Sequence, residues 1–372
     1  MEIRQFYGLT KRILIFFPIL IFVVFTNYYI DSASVYHDAS SEIAKAMADG
    51  HSVIALTDNT NEREIKRNLI ADMPDEVDCV ALGPSYIFGV NREATGEDSF
   101  YNLAVSGADC YDILAQLGML KGEGKSVKRV LFCVDTRFFD PEYYTTNVRN
   151  EPLMPYTEYM LETMDGKEVP FPSLSKIPAI KNGVKQLFSL SYFQNCMKKV
   201  MESGRYHAES ERYEILSPDR EPDRNYYHPD GSLSHESNSE SSGVERVKEN
   251  AFQYDIGYFF RYDKIDERSK KMFLDMIGYL TAQGIEVDLF LCPVSPFLWD
   301  RIEAEGKDNS LFSLMEELAL QTADEYSLKI TGGYDPYAFA LSNEDFTDAM
   351  HMKHAVLNSV FDLSGKDKDQ SR

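Results

Sequence analysis

Val77-Asp78-Cys79-Val80-Ala81-Leu82-Gly83-Pro84-Ser85 is the stretch whose reading decides the fold. An apolar run of this length, closed by glycine and proline, reads as a strand buried on both faces that ends in a turn. The hydroxyl of Ser85 then leaves the carboxyl edge of a sheet, where open α/β folds place their sites. Outward from it the same pattern repeats. Asn102-Leu103-Ala104-Val105 is a second short strand closed by Ser106-Gly107. A helix from about Asp109 to Lys121 carries Ile113, Leu114, Leu117 and Leu120 on one face and leads to the strand Arg129 to Val134. Strand, helix and strand in succession make a parallel unit. Helices over Lys270 to Gln283 and Leu311 to Tyr326 alternate with strands at Val287 to Cys292 and Leu328-Lys329-Ile330. The expectation is a flavodoxin-like, doubly wound parallel sheet.

A second segment supplies partners for the serine. Asp348-Ala349-Met350-His351 lies near the C-terminus, and an aspartate three residues before a histidine lets both side chains reach one point. Ser85 as nucleophile, His351 as general base and Asp348 as the group that fixes the imidazole tautomer make up the parts of acyl-transfer chemistry. The plainer reading gives Ser85 and Asp348 to helix capping, with a helix around Met352 to Phe361, and the two roles coexist. His354 lies one turn further on and reads as a surface or supporting residue. Backbone N–H groups of Ser85 and Gly107 are the candidate oxyanion donors. Taken alone, Gly107 also reads as a turn glycine.

Leu82-Gly83-Pro84-Ser85, Asn102 to Gly107 and Asp348-Ala349-Met350-His351 stand in the order and approximate spacing of three conserved blocks of the SGNH (GDSL-like) hydrolase superfamily, which the chain resembles from about residue 77 to 363. It looks most like the surface-exposed members that work in cell-wall or polysaccharide O-acylation, including the D-alanyl transfer protein of teichoic acids. The resemblance implies acyl transfer to or from a cell-surface glycan or teichoic-acid-like polymer through a Ser85 acyl-enzyme. It also implies a multispanning membrane O-acyltransferase as partner, and no metal or organic cofactor. Two departures stand out. Pro84 replaces the usual aspartate or serine, and the asparagine that supplies a third oxyanion donor is absent, because Val134 is followed by Asp135-Thr136-Arg137. Thr136 or Arg137 would then serve as donor, or Asp135 and Arg137 would form a structural ion pair. An esterase that deacylates the polymer and a non-catalytic glycan-binding or scaffold domain are the alternatives.

Residues 13 to 30 are apolar and uncharged, long enough as a helix to cross a hydrocarbon core of roughly 30 Å. Arg4, Lys11 and Arg12 precede them while Asp31, Asp38 and Glu42 follow, which predicts a cytoplasmic tail over 1–12 and an extracytoplasmic domain over 31–372. Ser32-Ala33-Ser34 offers small residues for signal cleavage, but the apolar run exceeds the usual h-region of about 7 to 15 residues. The span therefore reads as a retained anchor.

The net charge of −22 argues against a nucleic-acid partner. Cys79, Cys133 and Cys292 lie in strand-like runs, and no pair of cysteines has zinc spacing, so neither a disulfide framework nor a metal site is expected. Residues 140–262 read as an insertion with many tyrosines and prolines, including a mobile polar loop over 217–250. Trp299, the only tryptophan, reads as a packing residue at a strand end.

Overall fold

The computed structural model describes residues 3–56, 60–172, 183–203, 212–217, 224–234 and 243–366; for 3–15, 202–203 and 362–366 it describes the backbone alone. Five strands form one wholly parallel sheet: β1 (Glu76–Leu82), β2 (Phe100–Asn102), β3 (Ser126–Cys133), β4 (Glu286–Leu291) and β5 (Lys329–Gly332). Their order across the sheet is β2-β1-β3-β4-β5. That is the order of the flavodoxin-like doubly wound sheet, with its switch point between β1 and β3. The protein is a mixed α/β fold, as the sequence predicts.

Side-chain alternation shows how the faces are covered. Phe132 on β3 pairs in register with Leu289, and Cys133 with Phe290, so Phe132 and Phe290 point to opposite faces. Phe132 meets Phe273 of the helix Glu267–Ala282 at 5.7 Å, whereas Phe290 meets Phe361 of the helix His354–Lys366 at 6.0 Å. Helices therefore cover both faces. The apolar runs are continuous for this reason: from Val130 to Cys133 and from Val287 to Leu291 every residue is buried. The exposed residues of β1, β3 and β4 lie in their first halves, at Glu76, Ser126, Lys128 and Glu286.

The chain divides into two compact units. The larger contains the sheet and comprises residues 44–54, 62–172 and 215–372. The smaller comprises 1–43, 55–61 and 173–214. Its helix Ile3–Ile30 packs against the helix Leu190–Ser203, with Phe22 and Phe193 in edge contact at 5.8 Å. Asn27 is buried and donates to the carbonyls of Gln186, Leu187 and Ser189 at 2.9–3.0 Å. Buried Asp31 accepts from the backbone of Val35, Tyr36 and His37 and from the Tyr192 hydroxyl. Among the described residues, no helix is long and apolar enough to cross a membrane.

The expected polar loop over 217–250 needs correction. Tyr226–Tyr227 and Leu233–Ser234 pair antiparallel, Tyr226–Tyr227 pairs with Val53 and Ile54, and Val244–Gln253 is a helix. Leu233 donates its N–H to Phe88 O at 2.9 Å and is buried, as is Ser232. Composition misled here because these two-residue strands are held by tertiary bonds and have no apolar run of their own. Residues 218–223 and 235–242 lie outside the described residues. Trp299 is a packing residue as expected, set against Phe312 in the core, but it sits on the helix Pro296–Glu305 and not at a strand end.

Candidate active site

β1 ends at Leu82, and the next residue turns the chain. Gly83 has φ +153°, and a Cβ on it would lie 2.6 Å from Cys133 Cβ, so only glycine passes the end of β3 here. Pro84 is extended at φ −82°, and Ser85–Ile87 forms one turn of 3-10 helix. This turn is clamped from β2. Asn102, wholly buried, donates its Nδ2 group to Ile87 O at 2.7 Å, Val90 O at 2.9 Å and Phe88 O at 3.3 Å. Its Oδ1 accepts from Ala104 N at 3.0 Å.

The histidine arrives from the other end of the sheet on a closed turn. Thr347 N donates to His351 O at 2.9 Å, Lys353 N to Asp345 O at 2.9 Å, and Ser295 N to Ala349 O at 2.9 Å. Phe346, Ala349, Met350 and Met352 are buried beneath it. The helix begins only at His354, so Asp348 does not cap it. Instead, Asp348 Oδ1 accepts from Met350 N and His351 N at 2.8 and 2.9 Å.

These two arrivals close a chain of hydrogen bonds. Ser85 Oγ lies 2.8 Å from His351 Nε2, and His351 Nδ1 lies 2.8 Å from Asp348 Oδ2. With Nδ1–H donated to a carboxylate, Nε2 is left as the acceptor facing the serine hydroxyl. Burial pushes the Asp348 carboxyl up, but the hydrogen bond and charge of His351 and the two backbone donors outweigh it and hold the carboxyl below its ordinary range. Asp348 therefore stays ionised at neutral pH. All three sequence-predicted triad residues meet. His354 does not join them; its ring lies against Gly89, where an added Cβ would be 2.5 Å from the imidazole.

Around the triad the surroundings are aromatic and cationic. The Tyr86 ring lies 5.2 Å from the His351 ring and carries the Arg137 guanidinium 5.4 Å from its centre. Burial pushes the Tyr86 phenol well above its ordinary value, against the opposing charge of Arg137, so it remains protonated. Tyr254, from the insertion, is shifted upward by burial and by the charge of Asp348.

Gly107 reaches the same sheet edge. Leu103 N bonds Ala81 O and Val105 N bonds Gly83 O, at 2.9 and 3.1 Å, so the chain after β2 runs alongside the Gly83–Ser85 turn. Gly107 has φ +58°, a left-handed conformation that glycine adopts without steric penalty. Ser106 is held by Glu62, whose carboxylate accepts from Ser106 N at 2.6 Å and Ser106 Oγ at 3.0 Å.

Both substitutes expected for the missing asparagine bond to Asp135. Arg137 pairs with Asp135 at 3.1 Å and is stacked between the rings of Tyr86 and Tyr143. Thr136 is buried and donates to Asp135 Oδ1. The structural ion pair is thus the correct reading of Asp135 and Arg137. Sequence reasoning missed Asn102 as a clamp, although its place at the end of β2 was the available signal. All five cysteines are buried and free. Among the described residues, no group of acidic, histidine or cysteine side chains is arranged to hold a metal ion. No protein-family model matches the chain, and no curated protein matches it.

Proposed function

We propose that this protein is an SGNH-type serine O-acyltransferase of the cell surface, with Ser85 as nucleophile, His351 as base and Asp348 as its orienting carboxylate. The observation that carries the reading is the unbroken bond chain from Ser85 Oγ through His351 to Asp348. Such an alignment favours catalysis over a scaffold that only inherited the fold, because a binding domain has no need of a polarised serine.

The chemistry runs in two halves. Ser85 Oγ attacks the acyl carbonyl while His351 Nε2 takes its proton, and the tetrahedral oxyanion faces the N–H groups of Ser85 and Gly107. On collapse, His351 returns the proton to the leaving oxygen or sulfur, leaving an acyl-Ser85 ester. An acceptor hydroxyl then gives its proton to His351 and attacks the ester; as the acyl–Oγ bond breaks, His351 passes that proton to Ser85 Oγ and the acceptor departs acylated. With water as acceptor the same site is an esterase.

The proposed setting is a single-pass anchor with a cytoplasmic N-terminus, an extracytoplasmic domain, a surface glycan or teichoic-acid-like polymer as acceptor, and a multispanning O-acyltransferase as donor partner. Support for the anchor comes from the exposed Phe16, Phe17, Ile19, Leu20, Ile21, Phe22 and Phe25 on the first helix, apolar surface that lipid would cover. The test is the acyl content of the surface polymer in cells complemented with each variant at matched expression. Ser85→Ala and His351→Ala should abolish acylation, and His354→Ala should leave it near wild type. Full acylation by Ser85→Ala would remove the nucleophile from the account.

A further inference from the structure

The loop after β3 brings a guanidinium to the oxyanion side of the site. A Cβ on Gly107 would meet Tyr143 Oη at 2.7 Å and Arg149 Nη1 at 3.1 Å, so both groups lie directly over the Gly107 Cα. Tyr143 is held there by donating to Gly107 O at 3.2 Å. Arg149 is exposed, and among the described residues its guanidinium has no carboxylate within 4.0 Å. An isolated cation is unexpected in a chain of net charge −22.

Its backbone is fixed on both sides. Asn147 Nδ2 donates to Asp109 Oδ2 at 2.8 Å, and buried Asn150 Nδ2 donates to both carboxylate oxygens of Asp109 at 3.0 Å. Asp109 in turn caps the helix Cys110–Gly122, which starts just after Gly107. Arg149 N also donates to Asn147 Oδ1 at 3.2 Å. The loop carrying Arg149 is therefore tied to the segment carrying Gly107 by side chains on either side of the arginine, half-buried Asn147 and buried Asn150.

We infer that Arg149 is a catalytic residue whose guanidinium donates to the tetrahedral oxyanion beside Gly107, in the place left by the missing asparagine. The inference rests on the Ser85 reading above. Asp135 is already matched by Arg137, so the charge of Arg149 is left to meet the developing negative oxygen. Exposure gives the side chain freedom to close on the oxyanion as it forms.

The test uses purified full-length protein in detergent and a neutral alkyl fluorophosphonate, whose phosphoryl oxygen occupies the oxyanion position after attack. In that step the Ser85 Oγ–P bond forms, the P–F bond breaks, fluoride leaves and His351 takes the serine proton. Arg149→Met should slow labelling of Ser85 by about tenfold or more, since lost oxyanion donors act on the transition state. Arg149→Lys should recover part of the rate, and the melting temperature of both variants should match wild type. Because the probe is neutral, a role in binding an anionic substrate would not slow it. Equal labelling rates for Arg149→Met and wild type would overturn the role of Arg149 and leave the nucleophile standing. Failure of wild type to label at all would overturn both.

Discussion

Ser295 donates its backbone N–H to Ala349 O at 2.9 Å, tying the turn that carries Asp348 and His351 to the loop that follows β4. Through this bond the packing of the sheet fixes where the imidazole stands relative to Ser85. The side chain of Ser295 caps the next helix, accepting from Leu298 N, so the anchor point is itself rigid.

Ala349 has no exposed surface, and a larger side chain has no room without moving the turn. Ala349→Leu should destabilise the fold by about 1–3 kcal/mol and displace His351 from Ser85. Thermal melting and Ser85 labelling are the readouts; an unchanged labelling rate would show that the turn tolerates the shift.

Asp348→Asn keeps the shape of the side chain and removes its charge. Acylation should fall by about 10²- to 10⁴-fold, as expected when the tautomer of the base is no longer fixed. Because the folded carboxyl is held below its ordinary value, its stabilising contribution is complete above the unfolded value of about 4 and is lost as pH falls through the lower folded value. The melting difference between wild type and Asp348→Asn should therefore be constant above about pH 5 and shrink in acid. A difference that grows as pH falls would contradict the assignment.

Asn102→Ala deletes the clamp on the Ser85 turn. Ile87 O and Phe88 O keep the N–H groups of Val90 and Leu233 as donors, so the loss falls on Val90 O, at a cost of about 1–3 kcal/mol for a buried carbonyl left unsatisfied. The fold should lose stability, and Ser85 labelling should slow even at temperatures where the variant is fully folded. Normal labelling in a destabilised variant would confine Asn102 to a structural role.

Lys66 is buried and donates to Asn102 O and Gly231 O. Burial lowers its pKa from 10.5 to about 8, against the raising charges of Glu62 and Asp230. A lysine with a folded value below its unfolded one makes the unfolded chain bind more protons between the two, so this group adds stability as pH rises from about 8 towards 10. Relative to Lys66→Met, wild type should gain melting temperature over that window. A flat difference would show that Lys66 is as solvated as an exposed lysine.

Much of this architecture is legible in the sequence because parallel strands buried on both faces leave apolar runs. Val130 to Cys133 and Val287 to Leu291 announce β3 and β4, and Asp109 marks the start of its helix. The triad is legible for a similar reason: its residues sit at strand and turn ends whose chemistry is written locally. β2 is less so, since only Phe100–Asn102 pair and the apolar Leu103 to Val105 follow as buried loop. The Tyr226 to Ser234 hairpin leaves no periodic trace, because partners such as Phe88 and Val53 are remote in sequence. Arg149 carries no short-range signal either; only the folded loop, tied to Asp109 by Asn147 and Asn150, brings it over Gly107.

The most direct test of the central claim is intact-protein and peptide mass spectrometry of the full-length chain after exposure to a fluorophosphonate. The account predicts a single adduct on Ser85 in wild type, none in Ser85→Ala and strongly slowed labelling in His351→Ala. An adduct that persists in Ser85→Ala, or a wild-type protein that never labels while its melting transition stays intact, would contradict it.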